Sequence, residues 1–367
     1  MKGSWTVARF GVLLVVMVTS CGRAAPAAEP TALPTETLVL PTASPTAFAR
    51  PDVNLSDLPV ITADNAGEVQ QLDVLRGHSG PIFEMAFSPD GSTLISSGFA
   101  GTVRLWDIAS GFEVTAASHR PQATGLAISP DGATLASGGT DGRVILFDAE
   151  TLEEIDVLID QELGIWDVAF SPDGALLAVG GVHNAVHVWD MGAREEQAVL
   201  QGHGNDIYGV DFSPDGAVLA SASGDKNARL WDLAGEMKIA VLEGHDAEVM
   251  DVVFSPDGSI VASCSGLIVE RFTIRLWDAE TGAALAILEG HTNAISALAF
   301  TPGGEVLASK SGEGTVRLWH VETGAELARL DVMPSRKYAP GGVAFSPDGT
   351  LLVSDGGDGT IRLWGVY

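Results

Sequence analysis

Apolar and polar residues alternate in short bursts from about residue 60 to the end of the chain, and the bursts recur. Segments such as VRLWD, Val103 to Asp107, place an apolar side chain at every second position, the period of a strand with one buried face. Between the bursts stands SPDG, beginning at Ser88, Ser129, Ser171, Ser213, Ser255 and Ser346, with TPGG at Thr301. Pro fixes φ for the first turn position, Asp can accept bonds from the backbone that follows, and Gly takes the left-handed position that closes a longer hairpin. An aromatic residue ends each repeat, at Trp106, Phe147, Trp189, Trp231, Trp277, Trp319 and Trp364, at spacings of 41 to 46 residues. A period near 42 with strand alternation predicts one small antiparallel sheet per repeat, seven in all, in an all-β chain.

Upstream of the repeats the pattern changes twice. Lys2 and Arg9 flank and precede an apolar run from Phe10 to Val18 that ends in the small residues Thr19 and Ser20, the layout of an export signal. The run is too short to span a bilayer stably. Val18-Thr19-Ser20-Cys21 resembles the bacterial lipobox, which implies that Cys21 is acylated and becomes the new N-terminus, an anchored protein of the cell envelope. Each buried CH₂ contributes about 0.8 kcal/mol, so two or more acyl chains would tether firmly. Residues 22–59 are dense in Pro, Thr, Ala and Ser and cannot bury a core. The expected organisation is a signal over 1–21, a disordered spacer over 22–59 and a folded repeat domain over 60–367.

The net charge of −28, with no basic run longer than Arg336-Lys337, excludes a protein that tracks phosphates. The 43 glycines fit many tight turns rather than long helices. Two cysteines, Cys21 and Cys264, make no disulfide framework, and Cys264 falls inside an apolar strand as a small buried hydrophobe.

The stretch GHGNDIYGVDFSPDGAVLASASGDKNARLWD, Gly202 to Asp232, resembles a WD40 repeat, and seven such units cover residues 60–367. The resemblance implies a seven-bladed β-propeller, monomeric, with Glu68 to Leu75 pairing onto the last repeat to close the ring. It also implies a hydrogen-bonded tetrad in the fourth repeat, His203, Ser221, Asp225 and Trp231. The matching positions elsewhere are His78, Ser96 and Trp106; His119, Ser137 and Asp141; His245, Ser263 and Trp277; His291, Ser309, Glu313 and Trp319; and Ser354, Asp358 and Trp364. Ser, His and Asp together suggest a catalytic triad, but a catalytic site is rarely copied around a ring, so no enzyme and no cofactor are expected. Ala100 stands where the first repeat should carry Asp, the third repeat has Gln161, Val179 and His183, and the seventh lacks GH. His183 and His187 lie four apart without a third ligand, which gives no expectation of a metal site.

By the same resemblance the narrower face, built from the GH loops and the loops carrying the Asp, binds peptides or protein surfaces. The position five after each His holds Phe83, Thr124, Trp166, Tyr208, Met250, Ser296 and Gly341, and the position before the Asp adds Phe99 and Val182. Large apolar residues there predict a partner-binding arc. The fifth repeat carries four extra residues in GLIVERFT, so Leu267 and Ile268 either extend the arc or fold back over a blade that lacks its Asp. Asp206 and Glu248 place acid beside the aromatics, which suits a protein or peptide with an apolar anchor and a basic residue. The alternative, an exported propeller enzyme or small-ligand binder using the central channel, requires convergent ionisable residues there that break the repeat. None is read from the sequence. An architectural spacer without a specific partner is the third possibility.

Overall fold

Each SPDG turn closes a hairpin in the computed structural model, which describes residues 54–235, 237–266, 271–334 and 341–367. The expected signal, Cys21 and most of the spacer lie outside the described residues, as do Leu267 and Ile268. In the fourth repeat Ser213 Oγ donates to Asp215 Oδ1 at 2.6 Å and accepts from the Val218 N–H at 2.9 Å. Gly216 sits at φ 72°, where a side chain would be strained. The turn therefore satisfies its own polar groups and leaves the strands free to pair.

The described strands form seven four-stranded antiparallel sheets. The fourth blade is typical, with Ile207–Phe212 innermost, then Val218–Ser223, Ala228–Asp232 and, outermost, Met237–Leu242. Each innermost strand lies against those of the two neighbouring blades, and the seventh returns to the first, so the sheets close a propeller ring. Closure mixes the two ends of the chain. Val343–Phe345, Leu352–Asp355 and Thr360–Val366 supply three strands of the seventh blade, and Val69–Arg76 supplies the fourth. Gln71 stands opposite Trp364 and Leu75 opposite Ile361. Leu72 and Leu75 are buried with Ile361 and Leu363, so closure is held by packing as well as by the ladder.

The apolar core is divided among the seams between blades. At one seam Trp231 packs with Phe212 and Leu219 of its own blade and with Ala178, Val186 and Val188 of the third. At another, Trp277, Val261 and Phe254 meet Ala222, Leu230 and Leu242 of the fourth. This follows from strand geometry, since each sheet has two faces and both are covered by neighbouring blades.

The folded unit begins earlier than residue 60. Leu55–Asp57 forms a short 3-10 turn, and Leu58 is buried among Leu72, Trp106 and Leu351. Leu55 and Leu58 are the apolar residues of a polar stretch, and they find a seam to enter, which composition over a whole spacer cannot reveal.

Candidate partner-binding face

The polar network inside the blades is consumed structurally. In the fourth blade the Trp231 indole N–H donates to Ser221 Oγ at 2.8 Å, Ser221 lies 2.8 Å from His203 Nε2, and His203 Nδ1 lies 2.9 Å from Asp225 Oδ2. Trp106, Trp277 and Trp319 donate to Ser96, Ser263 and Ser309 at 2.8 Å, and Trp364 donates to Ser354 at 2.9 Å. Those first three serines each meet a histidine at 2.7 Å: His78, His245 and His291. His291 continues to Glu313 at 2.8 Å. The second blade ends in Phe147 and keeps only His119 with Ser137 at 2.8 Å and Asp141 at 3.3 Å.

Burial pushes the His78 and His245 imidazoles down to about 3, with Arg104 and Arg275 adding to it. Burial likewise lowers His119, His203 and His291 against the pull of their acidic partners. Neutral rings can then accept from Ser at one nitrogen and donate to the acid at the other. Burial alone would raise Asp225 and Glu313, but hydrogen bonds from His203 and His291 and from the following loop hold both well below the ordinary carboxylate range.

The departures have their own solutions. His78, lacking the Asp that Ala100 replaces, meets Thr102 Oγ1 at 3.2 Å. Asp358 has no histidine, and instead contacts Arg362 at 3.0 Å and the Thr360 hydroxyl, so its expected tetrad role is corrected to an ion pair. In the third blade the Trp189 indole N–H is buried without a hydrogen-bond partner. His183 and His187 stack edge to face at 5.1 Å, and His187 Nδ1 contacts Glu196. Among the described residues no group of three His, Cys, Asp or Glu is placed to hold a metal ion. Cys264 is fully buried and points its Sγ at the Ile295 carbonyl, 3.4 Å away.

On the face built from the GH loops the expected arc is broken. Phe83 is 8% exposed rather than solvent-facing, because Phe99, 50% exposed, covers it in an edge-to-face contact at 6.2 Å. Thr124 is also buried, and donates to the Ile165 carbonyl of the third blade at 2.6 Å. Beyond this gap the surface resumes. Trp166 and Tyr208 are half-buried with ring centroids 6.3 Å apart, inclined at 54°. Val182 and Met250 are half-buried on the third and fifth blades. Two glycines that sequence analysis passed over make room for these side chains. A Cβ on Gly224 would meet Tyr208 Cε2 at 3.2 Å, and one on Gly266 would collide with the Met250 side chain.

Asp206 and Glu248 stand beside the aromatic pair. Burial raises the Asp206 carboxyl while the nearby Trp166 indole opposes the rise. Burial and then Asp206 raise Glu248, with Lys226 opposing. Burial, Glu248 and Asp206 together push the Tyr208 hydroxyl above its ordinary range. Among the described residues, polar atoms shut off from solvent at this end of the third to fifth blades without a hydrogen bond of normal geometry include Trp166 Nε1, His183 Nε2, His245 Nδ1 and Glu248 Oε2. A native structure seldom strands such groups unless a ligand or water completes them.

One residue deeper on the inner strands lies a set of acids that the sequence analysis did not identify. Glu84, Asp167 and Asp251 occupy equivalent positions on the first, third and fifth blades, where the second and fourth carry Gly125 and Gly209. Asp211 lies two residues further along the fourth. Burial lifts Asp167 to about 8, Asp211 to about 7 and Asp251 to about 6, with backbone N–H donors opposing each rise. Burial also raises Glu84, reinforced by Asp167 and Asp251. The signal was available: these residues break the repeat at an inner-strand position adjacent to the surface position already considered.

The family profile described as "WD domain, G-beta repeat" matches this chain at residues 69–107, 113–148, 153–190, 194–232, 237–278, 282–320 and 340–365. The seven matched segments fall on the seven repeats, and the first begins with the strand that closes the ring.

Proposed function

Because this chain belongs to the WD40 repeat family, a family of propellers that typically serve as protein-interaction scaffolds, we propose that it is an exported, non-enzymatic docking platform. It is held at the bacterial cell envelope by lipid on Cys21, and it binds another protein through the narrow GH face at blades three to five. The observation that carries the docking site is the half-buried pair Trp166 and Tyr208 set against Asp206 and Glu248, with polar atoms left unpaired between them. Apolar surface rimmed by charge is the composition of an interface core. The partner chemistry that fits is an apolar residue on Trp166, Tyr208 and Met250 next to a basic group facing the acids.

The test is affinity capture with cross-linking on intact envelopes, comparing wild type with Trp166→Ala, Tyr208→Ala at matched abundance. Selective loss of a captured protein from the variant supports docking at this face, and identical captures overturn it. Anchoring is tested separately. Cys21→Ser should move the protein from the membrane to the soluble fraction and remove acyl mass from its N-terminal peptide. An unchanged membrane fraction overturns the lipid anchor.

A second possibility, a ligand in the central channel, draws support from Glu84, Asp167, Asp211 and Asp251. It is weaker, because three of these carboxylates already bind backbone N–H groups of the next blade.

A further inference from the structure

We infer that the acidic aromatic cluster of Trp166, Asp206, Tyr208 and Glu248 seats an alkylammonium group, such as the side chain of a lysine on the docking partner. The inference deepens the docking function proposed above and rests on it. Glu248 Oε2 is shut off from solvent and has no hydrogen-bond partner among the described residues, so the folded chain bears the cost of an acceptor with no donor. The Tyr208 hydroxyl lies in the field of both Glu248 and Asp206, which places a third acceptor oxygen beside the two carboxylates. Lys226 acts on Glu248 from a distance, but its ammonium donates to the Asp246 carbonyl at 3.0 Å and does not fill the site. The negative charge is therefore concentrated, partly desolvated and missing a donor.

The shape of the missing donor follows from the acceptors. Asp206 faces the Trp166 indole and Glu248 Oε2 is stranded, so the acceptors come from separate side chains rather than as the single flat pair that a guanidinium fork uses best. An ammonium carries three donors on one tetrahedral nitrogen and can divide them among Asp206, Glu248 and Tyr208. The Trp166 and Tyr208 rings, inclined at 54°, offer apolar faces along which a methylene stem can lie while the rings attract its charged head.

The probe is n-butylammonium, titrated into the full chain in detergent and labelled with 5-fluorotryptophan, with the Trp166 resonance assigned by its loss in Trp166→Phe. The expected result is a saturable shift of that resonance alone, absent with n-butanol and weaker with n-butylguanidinium. Glu248→Gln and Asp206→Asn should each weaken the apparent affinity by about tenfold while leaving the other tryptophan resonances in place, the equivalent of about one charge-assisted hydrogen bond. An equal shift with n-butanol, tighter binding of n-butylguanidinium, or full affinity in both variants overturns the inference. If the ammonium leaves Trp166 unmoved while capture still depends on Trp166 and Tyr208, the ammonium seat is wrong and docking stands. If the shift persists and capture fails, docking falls and the seat stands.

Discussion

Asp167 on the inner strand of the third blade accepts a 2.8 Å hydrogen bond from the Val210 N–H on the inner strand of the fourth. Asp211 does the same for Phe254 of the fifth blade at 2.7 Å, and Asp251 for Leu298 of the sixth at 2.8 Å. Each innermost strand is the edge of its sheet and carries N–H groups with no ladder partner. The preceding blade supplies the acceptor, so these acids staple blade to blade around the axis. Elsewhere a hydroxyl does the work: Thr124 donates to Ile165, and Ser296 to Gly341 at 3.0 Å.

The staples make stability depend on pH in a defined direction. Asp167, Asp211 and Asp251 titrate at about 8, 7 and 6 when folded, above their unfolded value, so the folded state holds protons that the unfolded state has released. Their contribution is complete below the unfolded pKa and is lost as pH rises through about 6 to 8. The buried histidines run the other way. His78 and His245 titrate at about 3 when folded, so the unfolded state takes up protons as pH falls below about 6.5 and stability declines there. Denaturant midpoints measured from pH 6.5 to 9 should fall as pH rises toward about 8 and then level off, and Asp167→Asn should flatten that fall. A midpoint that rises steadily to pH 9 contradicts this.

Removing the centre of a tetrad should cost more than its area. Ser221→Ala strands the Trp231 indole N–H and one nitrogen of His203 in a buried site. At about 1–3 kcal/mol for each of the two orphaned groups, a loss of about 2–6 kcal/mol is expected in equilibrium unfolding. A loss under about 0.5 kcal/mol means that water replaces the hydroxyl.

Closure of the ring depends on Leu75, which is buried with Ile361 and Leu363. Leu75→Ala should destabilise by about 2–5 kcal/mol. Protease digestion followed by mass spectrometry should show early cleavage in residues 69–76 or 360–366, the paired strands. Cleavage that begins elsewhere shows that closure is not the weak seam of the variant.

Phe83 and Trp166 occupy equivalent repeat positions and should behave oppositely. Phe83→Ala empties a covered site and should cost about 3–5 kcal/mol of stability. Trp166→Ala removes a half-buried ring and should cost less, while abolishing capture of the partner. Equal losses of stability would place both residues in the core.

The sequence alone determined the number of blades, the turns that separate their strands and the strand that closes the ring. SPDG and the terminal aromatic are local instructions, copied seven times with one TPGG variant and one Phe, and a hairpin needs nothing from outside itself to form. The tetrad serines were legible for the same reason, since a fixed offset within one hairpin sets their place. Exposure was not legible. Whether Phe83 faces solvent depends on Phe99 lying across it, and whether Trp166 meets Tyr208 depends on two blades whose residues are 42 apart in sequence. The acids around the axis remained hidden because their partners are backbone N–H groups of the next blade, which carry no mark in the sequence. Local hydrogen bonding wrote the repeat, and only closure of the ring decided which side chains it buries, which it pairs and which it leaves unpaired.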